Sequence, residues 1–593
     1  MPHSFHIPVL GLGYSIDTPL KVARYGISSV LSIVDDELIE RMRAYHSKNR
    51  SVDFEAIPKG AADSRSKRIT AYLNFLLETI TDDFKALKKQ DFSAGNDICR
   101  YFELLPDTSK LKHGYQLMLD YPEGEAKQIF QSLLKNAMRM GAIDVNIMAK
   151  VDKMNYVDDQ YTGDLNTDAL SALRGFAESK LNASVVLSAG MNPKLYSYME
   201  NFGDFFPDEN KNLKKKIILK VSDFRSALIQ AKFLAKKGLW VSEFRIESGL
   251  NCGGHAFATE GYLLGPILEE FKLKKNDMLA ELFNMYQSAL ALRGIQIENP
   301  PKQRVSVQGG IGTAAEHDFL LQHYNLDATG WGSPFLLVPE VTNVDAETLA
   351  QLASSTESDF YLSGASPLGI RFNNFKNSTI ELQRTERIEK GRPGSPCTKK
   401  YLCNNTEFTE QAICTASREY QHLKIKSLKT AGLSADEYQK QFNLVTEKVC
   451  LCEGLCAATY LKYNMAKPKE STAVAICPGP NLAYFSDVYT FDEMVGHIYG
   501  KINLLAQIER PHIFIKELNL YIDYLQDDIK QQLQHFSDKK RKQLNAFKLQ
   551  LAEGINYYKK LFAEVADQAS GELKGFYEQL AKSKDKLDGL IVE

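Results

Sequence analysis

The chain has 593 residues, 44% of them hydrophobic and 25% charged, and a formal net charge of −2. That length exceeds what one hydrophobic core serves and predicts two or three structural units. The near-neutral charge argues against a broad nucleic-acid footprint, and no apolar run is long enough to span a bilayer.

The N-terminal "HIPVLGLGYSI" is an apolar run ending in Gly11-Leu12-Gly13, and it reads as a strand rather than a signal peptide. "DTPLKVARYG" follows as a helix, with Asp17 or Thr18 as N-cap, Pro19 in the first turn and Gly26 as C-cap. "ISSVLSIVD" is the next strand, which completes a unit of βαβ length. Residues 36–140 break this rhythm with three stretches of three-and-four apolar spacing, a helical insertion. Strand and helix then alternate again. The predicted strands start near residues 7, 27, 142, 183, 216, 240, 304 and 327. "GYLLGPILEEFKL" and "DMLAELFNMYQSALALRG" read as two helices after the sixth strand, and "LDATGWGSPFLL" as the eighth strand.

Eight such units predict a (β/α)8 TIM barrel over residues 1–340, with an open doubly wound sheet as the alternative. Residues 341–505 form a mixed, Cys-containing segment. Residues 506–593 are helical, with an aromatic-aliphatic stripe read as a docking face for the protein's own body.

A barrel places its active site at the C-terminal ends of its strands, and unusual residues gather there. Gly253-Gly254-His255 follows the sixth strand. The glycines either make a tight turn or let a flat ligand approach the main chain. "VSVQGGIGTAAEH" puts Gly309 and Gly310 before a helix N-terminus, where free amides favour an anion. "TGWGSPFLL" adds Gly330, Gly332 and Ser333 after the eighth strand. Together these two loops occupy the usual phosphate site of a barrel, or else they are ordinary tight turns.

In this order "IPVLGLGYSIDTPLKVARYGISSVLSI", "DVNIMAKV", "IESGLNCGGHAF", "VSVQGGIGTAAEH" and "GWGSPFLLVPE" resemble the nitronate monooxygenase / 2-nitropropane dioxygenase-like family. That family includes FMN-dependent enoyl reductases of fatty-acid synthesis and trans-acting enoyl reductases of polyunsaturated fatty-acid and polyketide synthases. The resemblance covers residues 6–340 apart from the insertion. The size and the long tail match the synthase-associated members in layout. It implies bound FMN, with its phosphate on Gly309, Gly310, Gly312, Gly330, Gly332 and Ser333. It places Gly11 and Gly13 beneath the isoalloxazine and Asn146 near the flavin, counts Gly253 and Gly254 among the cofactor-binding residues, and makes His255 the general acid or base. The chain departs from the family in its first strand, which carries Gly13-Tyr14. It departs again in the signature run, which reads Asn251-Cys252-Gly253-Gly254-His255 with Glu247 displaced earlier. Cys252 is read as filling an alanine's place.

Nine cysteines are too few for a disulfide scaffold, so a reduced, cytoplasmic setting is expected. Six of them, Cys397, Cys403, Cys414, Cys450, Cys452 and Cys456, fall within sixty residues. They are either ligands of an Fe–S cluster or zinc, or buried inert thiols. Their spacings match no standard pattern. The nearby "KGRPGSPCTKK" reads as a solvated basic loop or a contact for a carrier's phosphopantetheine. The leading expectation is an FMN-dependent oxidoreductase with NAD(P)H as a donor. It would pass hydride to an activated double bond such as that of an enoyl thioester, on a small molecule or a carrier protein. A nitronate monooxygenase-type oxidation with O₂ and a non-catalytic assembly platform are the alternatives. No nucleic-acid or membrane partner is expected, and a homo-oligomer remains open.

Overall fold

The computed structural model describes residues 2–148, 152–157, 160–188, 190–532, 537–564 and 572–591. Eight parallel strands close into a barrel: β1 (Phe5–Ile7), β2 (Ser28–Ser32), β3 (Ile143–Ile147), β4 (Ala183–Leu187), β5 (Lys215–Val221), β6 (Val241–Glu247), β7 (Arg304–Gln308) and β8 (Ala328–Gly330). They neighbour one another in sequence order, and β8 pairs with β1 to close the ring. The sequence predicted this TIM barrel and the start of each strand to within two residues. The strands were legible because a barrel buries both their faces, so each reads as a compact apolar run; β2 and β4 are buried at every position. Parts of two predicted strands, residues 149–151 and 189, lie outside the described residues, as does the predicted helix over 565–569.

Helix α1 (Thr18–Val22) begins at Thr18 with Pro19 in its first turn, and the next turn ends at Gly26 with φ +82°. Asp17 stands at the N-cap position but makes no side-chain capping bond there. Its carboxylate instead meets Lys21 at 3.0 Å and His46 at 3.1 Å.

The insertion folds as α2 (Asp36–Asn49), α3 (Ser64–Lys89), α4 (Asp97–Glu103), α5 (Lys110–Asp120) and α6 (Glu125–Ala137). Helix α3 packs against α1 and against α7 (Asp168–Ala177), so it fills the place of the barrel's second outer helix. Helices α8 (Pro193–Tyr198) and α9 (Phe224–Ala235) follow β4 and β5. The two helices predicted after β6 are one, α10 (Leu264–Ala291). The Lys-Lys-Asn stretch between them contains no Gly or Pro to break it. Helix α11 (Ala314–His323) follows β7. The eighth strand is shorter than predicted, because Ser333–Leu337 forms a 3₁₀ turn with Pro334 at its start.

After the barrel come α12 (Ala346–Ala353), then the antiparallel hairpin β9 (Phe360–Ser363) and β10 (Phe372–Phe375). Helices α13 (Thr379–Glu389), α14 (Arg418–Thr430), α15 (Ala435–Thr446), α16 (Leu451–Lys462) and α17 (Phe491–Ile498) follow, and the chain ends with α18 (Ile513–Gln532), α19 (Asp538–Glu564) and α20 (Glu572–Asp588). One continuous apolar core runs through these segments apart from α14 and α15. The aromatic stripe of the C-terminal helices docks on the body. Tyr558 stacks on Phe514 at 4.8 Å between ring centroids and accepts the Gly265 N–H at 3.2 Å. Inside the barrel, Val30, Val186 and Ile218 form a small separate apolar layer. No described helix is long and apolar enough to cross a membrane.

Candidate active site

A cavity of about 330 Å³ opens at the C-terminal ends of the strands. Gly11, Asn146, Gly253, Gly254, His255, Gly309, Gly310, Gly330, Gly332 and Ser333 all line it. Ten of the twelve barrel residues singled out from the sequence therefore meet at one site.

The other two do not reach it. Gly13 packs under α16, where its N–H donates to the Leu455 carbonyl at 3.1 Å. A β-carbon there would stand 2.4 Å from Thr459 Oγ1, so a protein neighbour, not a flavin ring, demands the glycine. Gly312 donates its N–H to Glu316 Oε2 at 2.9 Å and faces the Arg510 guanidinium. Glu316 is buried, accepts from Arg510 at 2.6 Å and caps the amide of Ile513 at 2.7 Å. An internal carboxylate thus occupies the position that the resemblance gave to phosphate at Gly312.

At Gly253 a protein neighbour again demands the glycine, whereas a β-carbon on Gly254, at φ +78°, would meet open space. A β-carbon on Gly253 would lie 2.6 Å from the Cys477 carbonyl oxygen, and the Gly254 N–H donates to that oxygen at 2.9 Å. Gly253 admits the 477–479 segment to the cavity wall. At Gly309 and Gly310 the residues crowding the α-carbon are Cys252 and Asn251 of the β6 loop, and both glycines have positive φ, +108° and +83°.

The loops also leave polar groups on the cavity wall. The amide N–H groups of Gly310, Ile311, Gly332 and Ser333 make no hydrogen bond within the chain among the described residues. Asn146 Oδ1, Ser188 Oγ and both amide atoms of Asn251 are buried on the cavity wall without a partner. Asn251 is 1% exposed. Each such group costs about 1–3 kcal/mol if nothing satisfies it. Below them, Lys220 Nζ meets Glu247 Oε1 at 3.1 Å, and Gln308 Nε2 donates to the same oxygen at 2.6 Å.

Sequence reasoning missed Ser188, Lys220 and Gln308 as lining residues, although each sits at or just past the end of a strand. It also missed the far wall. Leu368, Phe372, Tyr401, Leu451 and Leu455 close that side from beyond residue 340, and no motif marks them. This wall holds the β6 loop in place. His255 pairs with Phe372 as an isolated β-bridge. The Asn373 N–H donates to the Gly254 carbonyl at 2.9 Å, and Asn373 Nδ2 donates to the Cys252 carbonyl at 2.7 Å. Burial pushes the Cys252 thiol well above its ordinary range.

On the opposite flank, Glu517 of α18 reaches the same loop. It is 1% exposed, accepts from Ser248 Oγ at 2.5 Å and from the Leu264 N–H at 2.7 Å, and burial pushes its carboxyl up to about 7.

Five of the six clustered cysteines lie near one another, with Cys450 close to Cys397 and Cys452 close to both Cys397 and Cys414. All are free thiols, and among the described residues no group of three or more His, Cys, Asp or Glu side chains is arranged to hold a metal ion. Cys397 neighbours Cys403 and Cys414. Cys450 neighbours Cys452, whose thiol holds it down at about 7. Cys456 stands apart and donates to Asp35 Oδ2 at 3.2 Å. Most of the basic stretch near Cys397 is a solvated loop, with Lys390, Arg392 and Lys400 exposed. The Lys399 side chain turns inward from it: it is ion-paired with Asp35 and donates to Tyr460 OH at 3.1 Å.

No family model and no curated protein matches the sequence. Among the solved structures similar to the chain are the following two. The enoyl reductase domain of MlnA, from the macrolactin biosynthesis cluster of Bacillus amyloliquefaciens, is 13% identical, with a TM-score of 0.32 over 73% of this chain and 89% of that one. A mutant FabK from Thermotoga maritima is 10% identical, with a TM-score of 0.29 over 66% of this chain and 81% of that one. The likeness is distant. At these values it carries no argument about activity, and the fold rests on the closed barrel itself.

Proposed function

We propose that the chain is an FMN-dependent oxidoreductase that reduces an activated carbon–carbon double bond, of the enoyl-thioester type, on a small-molecule or carrier-borne substrate. One observation carries this reading. Four free amides from the β7 and β8 loops and four orphaned side-chain polar atoms share a single cavity with His255. Those are the donor and acceptor types that a phosphate and the polar edge of a flavin require. When bound, FMN supplies hydride transfer between a nicotinamide donor and the double bond.

The amides of Gly310, Ile311, Gly332 and Ser333 would hold the phosphate. Asn146, Ser188 and Asn251 would satisfy the ring's polar edge. Lys220 would add positive charge on the cavity floor, where it is already paired with Glu247. Leu368, Phe372, Leu451 and Leu455 exclude water and offer an apolar wall to an acyl chain. His255, on the rim between that wall and the glycine loops, would pass the proton that accompanies hydride to carbon.

The test is anaerobic stopped-flow on the FMN-loaded protein. The reading expects NADH or NADPH to bleach the flavin spectrum and a short 2-enoyl thioester to restore it. Bleaching by a nitronate instead, with no response to the thioester, would replace this reading with the oxidative one. Bound flavin that answers to neither would leave the assembly platform.

A further inference from the structure

His255 is held by a residue that the barrel does not supply. Ser366, in the turn between β9 and β10, is 0% exposed, and its Oγ lies 2.7 Å from His255 Nε2. The same oxygen accepts the Leu368 N–H at 3.2 Å. A serine hydroxyl has one hydrogen and two lone pairs, so Ser366 keeps one hydrogen and one lone pair for the imidazole. The two chains around this contact are laced together. Besides the His255–Phe372 bridge, the Ala256 N–H donates to the Arg371 carbonyl at 2.9 Å, and the Phe372 ring meets the imidazole edge-on at 5.1 Å. The hairpin therefore presents one hydroxyl to one ring nitrogen, with little freedom for either.

We propose that Ser366 is a positioning residue for proton transfer by His255. The reaction it serves rests on the oxidoreductase reading above; the hydrogen bond does not. Nε2–H donates to the remaining Ser366 lone pair in the neutral imidazole and in the imidazolium alike, so Nδ1 is the nitrogen that gives up the proton and takes it back. The hydroxyl fixes the tautomer, and the ring keeps its orientation as the proton arrives and leaves. The proton balance is unchanged, since Ser366 neither gains nor loses one over the cycle. Ser366 itself is not on the cavity wall, so it acts on the site through His255 and through the Leu368 N–H that it also holds.

The experiment uses the full chain with ¹⁵N-labelled histidine and compares the native protein, Ser366→Ala and Ser366→Thr. His255→Gln identifies the His255 signals. The proposal expects Ser366→Ala to hold as much FMN as the native chain and to shift the Nε2 resonance and tautomer balance of His255. It expects kcat for the enoyl thioester to fall roughly tenfold or more while KM changes by less than about twofold. Ser366→Thr, which keeps the hydroxyl, restores the resonance and most of kcat. If Ser366→Ala leaves the His255 signals unmoved, the proposal is overturned, whatever happens to kcat. If the protein proves to have no flavin and no turnover, the oxidoreductase reading falls, and the ¹⁵N signals still decide whether Ser366 sets the ring. Should Ser366→Ala not fold, Ser366→Cys, with its weak thiol donor, takes its place under the same two outcomes.

Discussion

Replacing Glu517 with Gln isolates a single buried charge beside the site. The carboxyl has no cationic partner among its interactions. Burial raises it from an ordinary 4.5 to about 7, and only the Ser248 hydroxyl and the Leu264 N–H work the other way. Between those two pH values the folded chain binds more protons than the unfolded chain. The stability that Glu517 contributes is therefore fully present below pH 4.5 and is lost as pH rises to about 7. Above pH 7 the ionised form sits in the fold at a cost of about 3 kcal/mol. Glutamine has the same shape, still accepts the Leu264 N–H, and donates its amide to Ser248 Oγ. It carries no charge at any pH. Glu517→Gln should thus match the native chain near pH 4.5 and gain on it through neutrality, reaching a plateau above pH 7 with the melting temperature raised by a few degrees. Thermal unfolding of both proteins from pH 4.5 to 8.5 is the assay. A difference that stays flat across this range would refute the reasoning, because it would mean that water or a cation reaches Glu517.

Gly310→Ala should abolish FMN uptake. An added β-carbon would lie 2.0 Å from Asn251 Nδ2 in a backbone at φ +83°, and the displaced loop would carry its amides away; flavin content after reconstitution checks this. Lys399→Met should strip a buried ion pair of one member and cost about 3–5 kcal/mol, because Asp35 is left uncompensated. A lower melting temperature and faster proteolysis within 397–403 would show it, and an unchanged melting curve would not. His255→Gln should keep its flavin yet lower kcat for the enoyl thioester by about 10²- to 10⁴-fold, as measured by steady-state kinetics.

The barrel and most of its mouth were legible because their signals are local. A strand buried on both faces is an apolar run, and a loop of unusual backbone conformation shows itself by glycine. Glycine does not say which neighbour requires it. Gly13 answers to Thr459 and Gly312 to Arg510, and both partners are contributed by segments more than a hundred residues away. Gly253 answers to the Cys477 carbonyl in the same way. Ser366, Phe372 and Tyr401 left no trace in the sequence reading, because their place at the site depends on the path of the chain after the barrel. The cysteines were conspicuous for their spacing, yet Cys456 turned to Asp35 while the others paired among themselves. Asp17 looked like a helix cap and instead became the anchor of a buried cluster with Lys21, His46 and Tyr463.

The central claim is that this cavity holds FMN, and the most direct measurement is equilibrium binding of FMN to the flavin-stripped full-length protein, followed by quenching of flavin fluorescence. The account predicts saturation at one FMN per chain, with riboflavin, which lacks the phosphate, binding far more weakly because the amides of Gly310, Ile311, Gly332 and Ser333 go unused. A folded protein that takes up no FMN would contradict the account. So would one that binds riboflavin as tightly as FMN, since the phosphate site would then have no part in holding the cofactor.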